Sequence, residues 1–165
     1  MSEQVTVDNL ELARSGKSLA GSFPLAILSR LHDQVASLDA TLSYELSGRL
    51  DSEGKPGLHC RVRGTLQLVC QRCLQPLTWE LDLASDLVLV GSEAELAEGK
   101  DDPEAPDRLL MEKEMDVKAL IEDEVLLGMP LVPRHPEGQC QAAQSGARRE
   151  GEHPFAVLAR LRPQT

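Results

Sequence analysis

The sequence predicts an α+β protein: an antiparallel β-meander or partly closed barrel with two or three flanking helices. Three observations predict it. Between residues 38 and 90, apolar and polar side chains alternate over three long stretches, the period of strands with one face in a core. Two turn-forming clusters separate those stretches, so successive antiparallel pairing is the economical arrangement. On either side, Leu25, Leu28, Leu31 and Val35, and later Val117, Leu120, Ile121 and Val125, recur at helical spacing. At 165 residues and 18.0 kDa the chain suits a single domain, residues 1–165, large enough to bury a core without disulfide staples.

Taken in order, Val5-Thr6-Val7 and Leu10-Glu11-Leu12 alternate weakly before Gly16 and Gly21, which reads as a short extended segment ending in a loop. Ser22 with Pro24 close behind reads as a helix start, and the leucine spacing carries that helix from Pro24 to Ala36. From Leu38 to Leu50 the even positions carry Leu38, Ala40, Leu42, Tyr44 and Leu46, whereas the odd ones are polar. That is a half-buried strand. Residues 51–57 are dense in turn formers, and alternation then resumes with Leu58, Cys60, Val62, Leu66, Leu68 and Cys70 on the apolar face. His59, Arg61, Arg63, Thr65 and Gln67 share the polar face, and Gly64 marks a bulge or bend. Beyond the turn at Cys70 and Cys73, Trp79, Leu81, Leu83, Leu87 and Leu89 alternate with Glu80, Asp82 and Asp86.

Residues 92–114 are acidic and show no sustained period, so they read as a flexible loop. Asp116 is placed to cap the next helix, which Gly128 and Pro130 stop. The acids on that helix, Glu122 and Glu124, read as a solvated face. Residues 139–152 form a second, polar flexible loop, and the apolar run Pro154–Leu161 reads as a docking turn or helix.

Composition excludes several function classes. Aromatic residues are 2% of the chain, too few for the stacking platform of a single-strand binder. No apolar run approaches bilayer length, and the first ten residues lack the pattern of a signal peptide, so the expectation is a cytoplasmic protein with no membrane partner. Thiols stay reduced there, so Cys60, Cys70, Cys73 and Cys140 are not expected to be disulfides. The net charge of -10 disfavours phosphate binding, but residues 92–128 hold thirteen Asp/Glu against four Lys/Arg, nearly the whole excess. The rest of the chain is close to neutral. Walker A, GxGxxG, HExxH and serine-elbow patterns are absent, so nothing points to catalysis.

Chemistry concentrates at Cys70-Gln71-Arg72-Cys73, a Cys-x2-Cys turn between two strands. Its residues admit three readings. The thiols are small, partly buried residues that shape the turn, or two ligands of a zinc site completed by Cys140 and His135, or a redox pair. Redox motifs of this kind open a helix after a strand, whereas here Pro76 and another strand follow. Cys60 stands ten residues before Cys70, roughly 33 Å along a straight strand, which makes it a poor co-ligand. His135 and Cys140 follow the helix that Gly128 ends and can fold back. On the polar strand face, Arg61 and Arg63 point the same way, with Arg72 in the turn; they suit phosphates, or pairing with Glu80 and Asp82 across the sheet.

The run Val69-Cys70-Gln71-Arg72-Cys73-Leu74-Gln75-Pro76 resembles the Cys-x-Arg-Cys-Leu-x-Pro signature of the YceD family, the large ribosomal RNA subunit accumulation proteins. Ile121–Leu127 with Pro130-Leu131-Val132-Pro133, and Pro154–Leu158, are similar to further family motifs and occur in family order. The resemblance implies a non-enzymatic role in synthesis, processing or stability of large-subunit ribosomal RNA. Its partner would be that RNA or a large-subunit precursor particle, reached directly or through a protein. The alternative is an adaptor that recruits a basic ribosomal or RNA-processing partner through its acidic segment without touching RNA.

Overall fold

The computed structural model describes residues 5–97 and 106–140. Its centre is a five-stranded sheet in the order β2-β3-β4-β5-β6, formed by Ser18–Pro24, Thr41–Leu50, Pro56–Val69, Pro76–Val90 and Asp107–Leu110. The first four strands pair antiparallel and β6 joins β5 in parallel. The sheet does not close, since β2 and β6 each end it, so the meander is the form adopted and not the barrel. The β4–β5 register runs unbroken from Gly57 opposite Val88 to Val69 opposite Pro76. Gly64 therefore makes no bulge there. A Cβ at Gly64 would collide with the Leu42 side chain, so the glycine lets the neighbouring strand pack close.

Alternation puts Leu42, Leu46, Leu58, Val62, Leu66, Leu68, Leu81 and Leu87 on one face, all within the buried core. Each fully buried leucine contributes about 1.5–3 kcal/mol relative to exposure. Covering this face are α1 (Asn9–Ser15), two 3-10 turns (Leu25–Ile27 and Ser29–Gln34) and α3 (Val117–Gly128). A short α2 spans Glu93–Ala97, and β1 (Thr6–Val7) pairs antiparallel with β7 (Met115–Asp116) just before α3. The architecture is thus α+β, as expected, with helices packed on one side of the sheet.

Several elements differ from expectation for identifiable reasons. Leu10-Glu11-Leu12 is helical, because Asp8 caps α1 by accepting from the Glu11 N–H at 2.8 Å and Gly16 ends it in the left-handed region at φ 61°. The helix backbone rests on β3 at Gly48, where any side chain would strike the Leu12 carbonyl. The expected helix from Pro24 to Ala36 is instead two 3-10 turns, with Ser22 and Pro24 still in β2. Leu25, Leu28 and Leu31 are all fully buried, and strict three-residue spacing suits three residues per turn better than 3.6. Within 92–114, expected as a loop, lie α2 and β6. The loop expected at 139–152 beyond Cys140, and the segment Pro154–Leu161, lie outside the described residues.

Asp116 caps α3 as expected, accepting from Lys118 N–H at 2.9 Å and Ala119 N–H at 3.2 Å. The acids of α3 are not a solvated face. Glu122 is 3% exposed and accepts from the Arg30 backbone N–H at 3.1 Å, Asp123 pairs with the Arg30 side chain, and Glu124 accepts from Ser85 Oγ on β5. They fasten α3 to the second 3-10 turn and to the sheet. Burial, only partly offset by the Ser85 hydroxyl, pushes the Glu124 carboxyl above its usual range.

Candidate metal centre

The turn between β4 and β5 is folded by its own backbone. Cys70 N–H donates to the Gln75 carbonyl at 3.0 Å, Leu74 N–H donates to the Cys70 carbonyl at 2.9 Å, and Leu74 adopts a left-handed φ of 59°. Both thiols then lie on one side of the knuckle. The segment after α3 returns across it: Gln71 N–H donates to the Pro133 carbonyl at 2.8 Å, and the His135 Nε2–H donates to the Pro76 carbonyl at 3.1 Å. With Nε2 carrying the proton, Nδ1 presents a bare lone pair to the sulfurs.

The outcome is a cluster of Cys70, Cys73, His135 and Cys140 whose ligand atoms all lie within 4.8 Å of one another. Cys70 Sγ stands 3.6 Å from Cys140 Sγ, and His135 Nδ1 stands 3.4 Å from Cys73 Sγ and 3.8 Å from Cys140 Sγ. A tetrahedral zinc with bonds of about 2.3 Å to sulfur and 2.0–2.1 Å to nitrogen sets edges of about 3.8 Å and 3.6 Å. These three edges come within a few tenths of an ångström of a tetrahedral ion's, and three sulfurs with one imidazole are a donor set that zinc accepts. Cys70 is shielded completely from solvent, while Cys73, His135 and Cys140 are half-buried. Burial opposes ionisation of Cys70, but N–H groups of Cys73, His135 and Arg72 and the His135 ring outweigh it and hold the thiol down at about 5. Cys73 moves the other way: the Gln75 N–H favours its thiolate, yet burial and the Cys70 and Cys140 sulfurs raise it.

Cys60 stays out of the cluster. It is buried in the sheet core, and burial, with Glu124 nearby, pushes its thiol up to about 12. All four cysteines are free thiols. Arg72, in the turn, donates from Nε to Cys140 Sγ at 3.1 Å.

The arginines expected on the polar sheet face are there, already engaged. Arg61 grips Asp82 with two bonds of 2.9 and 2.8 Å, and Arg63 donates to the same carboxylate at 3.3 Å. The Arg61 hydrogen bond first, then its charge and Arg63, holds Asp82 down at about 2 despite partial desolvation. Asp86 likewise receives His59 and Arg49, at 2.7 and 2.8 Å. Asp82 thus takes both arginines, while Glu80 faces Thr65. Arg63 and Cys70 are seven residues apart, roughly 23 Å along the strand at about 3.3 Å per residue, so Arg72 is not part of one patch with Arg61 and Arg63.

Sequence reasoning missed the parts of this site that carry no distinctive side chain. The carbonyls of Pro76 and Pro133 orient His135 and clasp the returning segment. The prolines at both positions were a usable signal, since proline retains its carbonyl acceptor while fixing the chain. No helix among the described residues is long and apolar enough to cross a membrane.

Residues 58–162 match the family described as large ribosomal RNA subunit accumulation protein YceD. A Haemophilus influenzae protein of that same name is 27% identical over 96% of this chain and 95% of its own length. No solved structure matches the chain.

Proposed function

The chain belongs to the YceD family, and on that premise we propose that it acts without catalysis in the synthesis, processing or stability of large-subunit ribosomal RNA. The observation that carries this reading is the family match, which takes in the Cys turn, α3 and the returning segment together. Its partner is ribosomal RNA or a large-subunit precursor particle, met in the cytoplasm through the open sheet face and the knuckle. The Cys70, Cys73, His135 and Cys140 cluster is read as a structural zinc site, since four protein ligands leave no open position for substrate. Bound there, zinc would supply a rigid cross-link between the knuckle and the segment after α3.

A second reading is favoured by the charge pairing of the sheet face. Because Asp82 and Asp86, together with Glu45 and Glu80 on the same side of the sheet, balance Arg49, Arg61 and Arg63, that face offers little net positive potential to phosphates. The protein then works as an adaptor whose acidic segment, residues 92–114, recruits a basic ribosomal or processing partner.

Depletion in cells tests the function itself: large-subunit RNA should fall relative to small-subunit RNA, and an unchanged ratio rejects the role. Direct contact and the adaptor separate next. Arg61→Ala with Arg63→Ala weakens RNA binding and flattens its salt dependence under direct contact. Under the adaptor reading, replacing the exposed acids Glu93, Glu112 and Glu114 by Gln weakens partner capture without removing β6, and the arginine variant binds normally.

A further inference from the structure

We propose that Arg72 is a positioning residue of the metal centre, which holds Cys140 on the ion by donating a hydrogen bond to its sulfur and balancing the charge of the ligand set. The inference rests on the zinc reading above. Three thiolates and a neutral imidazole around a divalent ion leave one negative charge, and the Arg72 guanidinium, permanently cationic, supplies the one positive charge that cancels it.

Geometry selects Cys140 as the ligand that needs this help. Cys70 and Cys73 are carried by a turn closed between two long strands, and His135 is fixed from behind by the Pro76 carbonyl at 3.1 Å. Cys140 comes last on a segment that has left α3 and belongs to no helix or strand. Its sulfur meets Cys70 Sγ at 3.6 Å and His135 Nδ1 at 3.8 Å, both ligand atoms themselves. Among the described residues, Arg72 Nε at 3.1 Å is the side-chain donor from outside the ligand set. Arg72 reaches it because the turn seats the arginine between the two cysteines, directly over the incoming segment, where Gln71 N–H also clasps the Pro133 carbonyl. An N–H donor at a metal-bound thiolate stabilises the ionised sulfur and fixes its side chain in place, which makes it a poorer nucleophile and keeps it within reach of the ion.

The test uses the full chain loaded with zinc, and compares the native protein with Arg72→Gln and Arg72→Lys. Zinc affinity is measured by chelator competition, and iodoacetamide modification is mapped to individual cysteines by mass spectrometry. The proposal expects Arg72→Gln to lose about 10- to 100-fold in affinity. It also expects Cys140 to become the first cysteine alkylated, ahead of Cys70 and Cys73, and Arg72→Lys, which keeps the charge, to recover part of both effects. Cys60, buried in the sheet, reports on folding in the same spectra; if it reacts in Arg72→Gln, the comparison is decided on Arg72→Lys, which must then release zinc faster than the native protein and expose Cys140 first. Unchanged affinity and alkylation order in a native protein that binds zinc overturns the proposal alone. A native protein that takes up no zinc overturns the zinc reading, and the proposal with it.

Discussion

Leu74 occupies a backbone conformation that bulky side chains rarely adopt, with φ at 59°, and its side chain is 71% exposed. Strain of this kind costs about 1–3 kcal/mol, and so exposed a leucine recovers little of it by burial. Leu74→Gly removes the strain at an entropic cost of about 0.5–1 kcal/mol, so the variant should gain about 1 kcal/mol in urea unfolding of the metal-loaded protein. A loss of stability would show that Leu74 packs on something the fold needs. Asp82 gives a residue-scale pH dependence. Its pKa falls from 3.8 unfolded to about 2 folded, chiefly through the Arg61 hydrogen bond. Between those values the unfolded chain takes up a proton that the folded one refuses, so this contribution is complete above about pH 4 and lost as the pH falls toward 2. Asp82→Asn should flatten the acid side of the stability profile in that window and leave its shape between pH 5 and 8 alone. A profile of unchanged slope would sink the pairing as a source of acid sensitivity.

Among the elements, α3 is the one whose acids do most to hold the layers together. Glu122 is buried and satisfies the Arg30 N–H at the start of the second 3-10 turn. Glu122→Ala leaves that donor unpaired and opens a void, and should cost about 2–3 kcal/mol, whereas Glu122→Gln keeps an acceptor and should cost less. Equal losses in thermal or urea unfolding would mean that charge, not the hydrogen bond, is what matters there. This clamp was illegible in the sequence, because a carboxylate bonded to a backbone N–H ninety-two residues away looks like any other acid on a helix. By contrast β3, β4 and β5 were legible, since one-sided burial imprints a period of two that tolerates few exceptions. The short α1 was not, because its cap at Asp8 and its seat on Gly48 decide it more than any periodicity of seven residues. Nor was β6, four residues that gain strand form only by pairing alongside β5. That Cys70, Cys73, His135 and Cys140 come together was readable for the opposite reason: cysteine and histidine are scarce in this chain, so few partners compete for the Cys turn.

At the scale of the whole molecule, the centre ties together parts that the core leaves separate. The sheet and its covering helices bury their own leucines without it, whereas the chain from Met129 to Cys140 has little regular structure and meets the knuckle through one backbone hydrogen bond, the His135 ring on the Pro76 carbonyl, and the ligand cluster. A zinc ion there would close a long loop from Cys73 to His135, and its binding energy would count toward folding because the unfolded chain holds no such site. Removing the metal should therefore loosen one end of the molecule and not dissolve it. A thiol reagent in native buffer should find no reactive cysteine in the loaded protein and three after chelation, those of the turn and Cys140. Cys60, with its thiol raised to about 12 by burial, should react only in denaturant. With zinc at about a thousandfold excess over its dissociation constant, binding supplies about 4 kcal/mol, so the chelated protein should melt roughly 10 °C lower. Four thiols exposed together on chelation would mean that the sheet depends on the metal; thiol counts indifferent to the chelator would mean that the cluster carries no metal at all.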